Sequence, residues 1–131
     1  MYLILIGAEP EGQRFLEKAL EHNHEVTLIE ADEEKARQVL KENEVRVLRG
    51  DIADEDILEE ADVKRADAVI ATTYDDSKNL MAMALAREYE VKTRLSLINQ
   101  PSHVSLFERL GAQVVRDPAS IIADQLYQYI S

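Results

Sequence analysis

Gly7, Glu9, Gly12, Glu30, Asp51 and the pair Thr72–Thr73 are the residues whose types and spacing could do chemistry in this chain. They stand at the ends of short apolar runs or in the turns just beyond them. Tyr2–Ile6 stops at Gly7, and the turn Gly7-Ala8-Glu9-Pro10-Glu11-Gly12 opens a helical stretch. Val26–Ile29 then ends on Glu30, eighteen residues after Gly12. A glycine turn that opens a helix offers backbone N–H groups to an anion. An acid ~20 residues further on suits the hydroxyls of a ribose. This is the layout of a dinucleotide-binding strand–turn–helix–strand unit with one departure. Where the G-x-G-x-x-G pattern has its middle glycine, this chain has Glu9. That side chain is expected to block close approach of a pyrophosphate and to add negative charge there. Arg14, in the first helical turn, could add positive charge. A carboxylate at position 30 favours a 2′-hydroxyl over a 2′-phosphate, hence NAD or AMP-type ligands over NADP.

The other strand ends carry shorter signals. Gly50-Asp51-Ile52 follows a third apolar run, and Asp51 can orient that loop or meet an adenine ring edge. Ala71-Thr72-Thr73 follows a fourth and offers hydroxyls and N–H groups; a plain turn and helix cap explains it equally well. Asn99-Gln100-Pro101 follows a fifth. Tyr74 and Lys78 have the Y-x-x-x-K spacing of short-chain dehydrogenases, which would place both on one helix face. Asp75 and Asp76 intervene, the glycine pattern of that family is missing, and no substrate region remains after the sixth strand. An NAD-dependent oxidoreductase is therefore disfavoured. His22 and His24 read as solvated turn residues and His103 is remote from them, so no metal site is expected.

Six β-branched runs position these residues: Tyr2–Ile6, Glu25–Ile29, Val45–Leu48, Ala68–Ala71, Arg94–Ile98 and Gln113–Val115. Between and after them lie helical stretches at Glu11–His22, Asp32–Glu42, Asp54–Ala61, Asp75–Tyr89, Ser102–Leu110 and Pro118–Ile130. Strand–helix alternation without hairpin signals predicts a Rossmann-type, doubly wound, six-stranded parallel sheet with helices on both faces, as one domain over residues 1–131. Asp32, Asp54 and Asp117 are predicted N-caps, and Gly111 a C-terminal helix stop. Met81 and Met83 read as core fillers. Ile121, Ile122, Leu126, Tyr129 and Ile130 make the last helix more apolar than one sheet face requires, which predicts docking plus a partner surface.

Fifteen basic against twenty-six acidic residues give a formal charge of −11. That balance opposes a nucleic-acid surface or an anionic lipid face. The chain has no cysteine, which excludes disulfides and thiolate chemistry. No apolar run approaches the ~20 residues that span a bilayer. The N-terminal run lacks a basic flank and a cleavage site, so it reads as a strand. The expected compartment is the cytoplasm, with any membrane association peripheral.

The stretches LILIGAEPEG, VTLIEAD, VRVLRGDIAD, ADAVIATTYDDSKNL and FERLGAQVVRDP, in this order, resemble the RCK N-terminal domain family, also called TrkA-N or KTN. The resemblance covers nearly the whole chain. It implies a non-catalytic domain that dimerises, binds NAD(H), ATP, ADP or AMP, and regulates a membrane potassium channel or transporter. It places the binding turn on Gly7, Ala8, Glu9, Pro10 and Gly12, and the ribose acid on Glu30. The adenine-side loop falls on Asp51 and Ile52, and the fourth-strand loop on Ala71, Thr72 and Thr73. Besides Glu9, Leu97 departs from the pattern, standing where many members have an arginine that reaches phosphates. Both departures weaken the phosphate end and spare the nucleoside end. The family's C-terminal ligand-binding domain and a pore are expected to lie outside this chain. The alternative is an interaction module that kept the fold and lost the nucleotide.

Overall fold

The computed structural model describes residues 1–131. Strands β1 (Tyr2–Ile6), β2 (Glu25–Glu30), β3 (Arg46–Arg49), β4 (Ala68–Ala71), β5 (Thr93–Ile98) and β6 (Gln113–Arg116) form one sheet in the order β3-β2-β1-β4-β5-β6. Every pairing is parallel. The helices are α1 (Pro10–Glu21), α2 (Glu33–Glu42), α3 (Ile57–Glu60), α4 (Asp76–Glu88), α5 (Val104–Arg109) and α6 (Pro118–Gln128). This is the doubly wound arrangement the alternation predicts. Connections leave β1 toward one edge and β4 toward the other, which opens a crevice beyond their carboxyl ends.

β1 is buried along its whole length because both of its faces are covered. Leu3 and Leu5 meet Leu16 and Ala19 of α1 and Val39 of α2 on one face. Tyr2, Ile4 and Ile6 join the cluster of Ala82 and Met83 of α4 and Phe107 of α5 on the other. The Tyr2 hydroxyl bonds to Thr27 Oγ1 and the Ala61 carbonyl, which satisfies its one polar atom inside that cluster.

Helix starts obey local chemistry. Asp32 accepts the Lys35 N–H, Asp117 accepts the Ser120 N–H, and Gly111 ends α5 at φ 71°. Four expectations are corrected. The helix expected over Asp54–Ala61 shrinks to α3, because Asp54 turns its carboxylate onto the Asp51 N–H and Asp56 takes a left-handed φ of 72°. β3 runs one residue later than its apolar run. Met81 is 44% exposed and only Met83 is core, since α4 turns Asn79, Ala82, Met83 and Ala86 inward. α6 buries no residue at all, so it does not dock on its own sheet.

The β1–α1 turn depends on two glycines. Gly7 sits at φ 103°. A Cβ at Gly12 would run into the Gly7 carbonyl oxygen and lie 2.6 Å from Thr72 Oγ1. The helix can approach the strand this closely only without a side chain. Gly12→Ala is expected to destabilise the fold by about 1–3 kcal/mol through overpacking. Chemical denaturation checks this, and an unchanged midpoint would contradict it.

Candidate functional site

The carboxyl ends of β1, β2, β3 and β4 border a cleft of about 480 Å³. Ile6 and Ile29 form its apolar floor, and Gly7, Glu9, Glu30, Asp51, Ile52 and Thr73 of the expected set line it. Glu30 is its most constrained group. It is 9% exposed, and its carboxylate accepts the Ala8 N–H at 2.6 Å and the Asp32 N–H at 2.8 Å. One side chain thus fixes the glycine turn to the start of α2. Each oxygen keeps acceptor capacity for a hydroxyl in the cleft.

The remaining expected residues do not line the cleft. Ala8 contributes its N–H, while its side chain is buried. Pro10 occupies the first turn of α1, and Gly12 is packed beneath the turn. Ala71 is buried at the end of β4. The Thr72 hydroxyl donates toward the Ile6 and Gly7 carbonyls at 3.0 and 3.1 Å, so it holds the turn rather than a ligand. Leu97 lines a neighbouring groove with Phe15, Leu95 and Val115 rather than this cleft. Arg14 is exposed beside Glu17 at 2.9 Å, away from the cleft.

Two lysines complete the walls, and neither stood among the expected binding residues. Lys35 pairs with Glu9, and Lys78 pairs with Asp51 at 2.8 Å. Glu9 therefore faces the cleft with its charge countered, not bare. The legible signal was a repeated spacing: each lysine stands three residues after an N-cap aspartate, Asp32 or Asp75. The bond from Glu9 raises Lys35 above the usual lysine value, with Glu30 adding to it. The bond from Asp51 does the same to Lys78, again with help from Glu30. In return, Lys78 and the Ala53 N–H hold Asp51 below the usual carboxylate range.

Tyr74 and Lys78 do not act as a pair. Tyr74 precedes α4 and its hydroxyl bonds to Glu11 at 3.0 Å, while Lys78 reaches Asp51. His22 Nδ1 bonds to the Lys18 carbonyl and His24 Nδ1 to the chain amine. His103 is engaged differently, with Nδ1 2.8 Å from the Asp76 carboxylate. No cluster of three histidine or acidic side chains has a geometry for a metal ion.

The family model described as the TrkA-N domain matches residues 3–118. The chain belongs to the TrkA-N domain family. Two relatives are the Trk system potassium uptake protein TrkA homologs of Methanothermobacter thermautotrophicus and Pyrococcus abyssi. The first is 30% identical over 100% of this chain and 61% of the relative. The second is 31% identical over 98% and 59%. The chain thus spans about three fifths of the length of these relatives. The TrkA-N domain of the inner membrane protein ybaL from Escherichia coli superposes with a TM-score of 0.85 at 22% identity, covering 97% of this chain and 95% of that one. The Shewanella denitrificans Kef C-terminal domain in its AMP-bound form gives 0.80 at 19%, covering 100% and 82%. The GsuK channel bound to NAD gives 0.76 at 24%, covering 87% and 21%.

In this TrkA-N domain the far wall of the cleft is braced from beneath. Asp76, in the first turn of α4, accepts the Asn99 N–H at 2.8 Å, the Gln100 N–H at 2.9 Å and the Asn99 amide at 2.9 Å, besides His103. Burial works to raise its carboxyl, but these donors outweigh burial and hold it below the usual aspartate value. A folded-state value below the unfolded one stabilises above the unfolded pKa and is lost as pH falls through the folded one. Asp76→Asn should therefore cost about 1–3 kcal/mol near neutral pH. The gap to the unaltered protein should narrow below about pH 4. Urea denaturation at pH 7 and pH 3.5 measures this; a gap independent of pH would refute the ionised-acceptor role.

Proposed function

We propose that this TrkA-N domain is the regulatory nucleotide-binding part of a potassium channel or transport system, sensing an adenine nucleotide without catalysing a reaction. The observation that carries this reading is Glu30, held between the glycine turn and α2 with free acceptor capacity facing a cleft. Asp51 and Ile52 stand at the adjacent strand end, where an adenine edge would lie. Relatives named as Trk potassium uptake proteins, and fold neighbours bound to NAD or AMP, support the same class of ligand.

The nucleoside end of the cleft is better provided than the phosphate end. Glu9 occupies the close-approach position, and Leu97 supplies no cation. AMP or adenosine is therefore favoured over NAD(H), ADP or ATP. The second reading, an interaction module without nucleotide, draws on the two lysines already paired to carboxylates of the cleft itself. The separate engagement of Tyr74 and Lys78 supports a non-enzymatic role.

The same reading includes self-association. α1 and α2 cover β1 to β3 on one face, but beyond Phe15 that face leaves an apolar groove over β4, β5 and β6. α6 carries Ile121, Ile122 and Leu126 in the open, and Ile130 is exposed just beyond its end. Laying α6 of a second copy on this groove would cover both surfaces, consistent with a homodimer or higher oligomer. No helix is long and apolar enough to cross a membrane. A cytoplasmic domain held peripherally by a membrane transporter is the matching location.

Thermal shift and calorimetry against AMP, ADP, ATP, NAD and NADH test the ligand. AMP should bind more tightly than the dinucleotides, and no response to any would sink the nucleotide reading. Glu9→Gly should raise affinity for the phosphorylated ligands; unchanged affinity would mean that Glu9 does not oppose them. Light scattering tests assembly: Ile122→Glu with Leu126→Glu should give a monomer, and an unaltered mass would exclude this face.

A further inference from the structure

Lys78 completes no pair with Tyr74; its partner is Asp51. Asp51 follows β3 and Lys78 rises from α4, which follows β4. In the sheet order these two strands flank β2 and β1, roughly 14 Å apart at three strand spacings. The 2.8 Å bond between Lys78 Nζ and Asp51 therefore passes over the strand ends that carry Glu30 and Gly7. Both partners line the cleft.

We propose that Lys78 is the residue through which this cleft reads a phosphate, and that its bond to Asp51 straps the cleft until a phosphate displaces it. This rests on the reading of the cleft as an adenine-nucleotide site. A phosphate needs a cation, and the cleft walls offer two. Lys35 is committed: moving it off Glu9 would leave a bare carboxylate at the turn where the phosphate lies. Lys78 is free to move at lower cost. Its partner Asp51 keeps the Ala53 N–H at 3.0 Å and enough solvent contact to stay ionised alone.

Position favours the same residue. The loop that leads into α4 abuts the glycine turn, since a Cβ on Gly7 would lie 3.1 Å from Thr73 N. An ammonium one turn into α4 can therefore swing toward an anion seated on that turn. Its departure frees the Asp51 carboxylate to accept the exocyclic amine of adenine. One exchange of partners thus supplies a contact at each end of an adenine mononucleotide. It provides a cation that Leu97 does not, and it links phosphate binding to release of the strap.

Calorimetry with adenosine, AMP and ADP on the unaltered protein, Lys78→Gln and Lys78→Arg tests this. Lys78→Gln should lower AMP and ADP affinity about tenfold, the loss of one charge-assisted bond. Adenosine affinity should hold or rise, because the competitor for Asp51 is gone. Lys78→Arg should keep the preference for AMP over adenosine. An unchanged AMP-to-adenosine ratio in Lys78→Gln overturns the assignment alone, whether both affinities fall together or neither moves. Failure of the unaltered protein to bind any of the three overturns the nucleotide reading, and this assignment with it. Thermal melting of the ligand-free variants confirms that they are folded.

Discussion

The Glu30 carboxylate joins two segments that the sheet alone leaves independent. β1 and β2 bring the glycine turn and the α2 start side by side, but backbone pairing ends with the strands. Beyond them, the Ala8 and Asp32 N–H groups would face each other with no acceptor between. A buried carboxylate that accepts both supplies it, each bond being worth more than a neutral one. The floor of the cleft, the direction of α2 and the position of Lys35 all follow from that junction. The carboxylate that faces the cleft is thus one the protein needs for its own geometry. Substituting it would disturb the turn and the start of α2 together.

The close approach of α1 to β1 is the steric counterpart of this electrostatic tie. Thr72 and Gly12 meet over the Gly7 carbonyl, where no Cβ fits. The first and third positions of the glycine pattern thus have a packing cause that is independent of any ligand. The middle position has none, which is why Glu9 can occupy it without damage to the fold. Structural and ligand-facing demands on one short motif come apart at that residue.

Much of the fold was legible because its signals are local. Continuous apolar runs bounded by Gly7, Gly50 and the Thr72–Thr73 turn marked buried parallel strands, and Asp32, Asp117 and Gly111 marked helix ends. Gly7, Glu30, Asp51 and Thr73 line one crevice because this sheet order sets the ends of β3, β2, β1 and β4 side by side. What the sequence did not disclose were pairings between segments. Glu9 with Lys35 and Asp51 with Lys78 join positions 26 and 27 residues apart. No periodicity encodes such a pair. Asp54 was misread as a cap because an aspartate that turns back onto its own loop looks identical in sequence to one that starts a helix. Met81 was misread because α4 is apolar on several sides, so composition alone does not say which side faces the sheet.

Asn79 is fully buried, and its amide group bonds to the Thr73 backbone and hydroxyl and to the Leu97 carbonyl. These contacts carry no net charge. Two other links around the cleft, by contrast, are ion pairs of half-exposed lysines. Dissolved salt weakens such pairs and leaves buried amide bonds untouched. The cleft is therefore built like a vice, with a fixed jaw at β4–β5 and ionic links at the glycine turn (Glu9–Lys35) and across the opening (Asp51–Lys78). The ionic strength around the domain can act on those links and not on the fixed jaw.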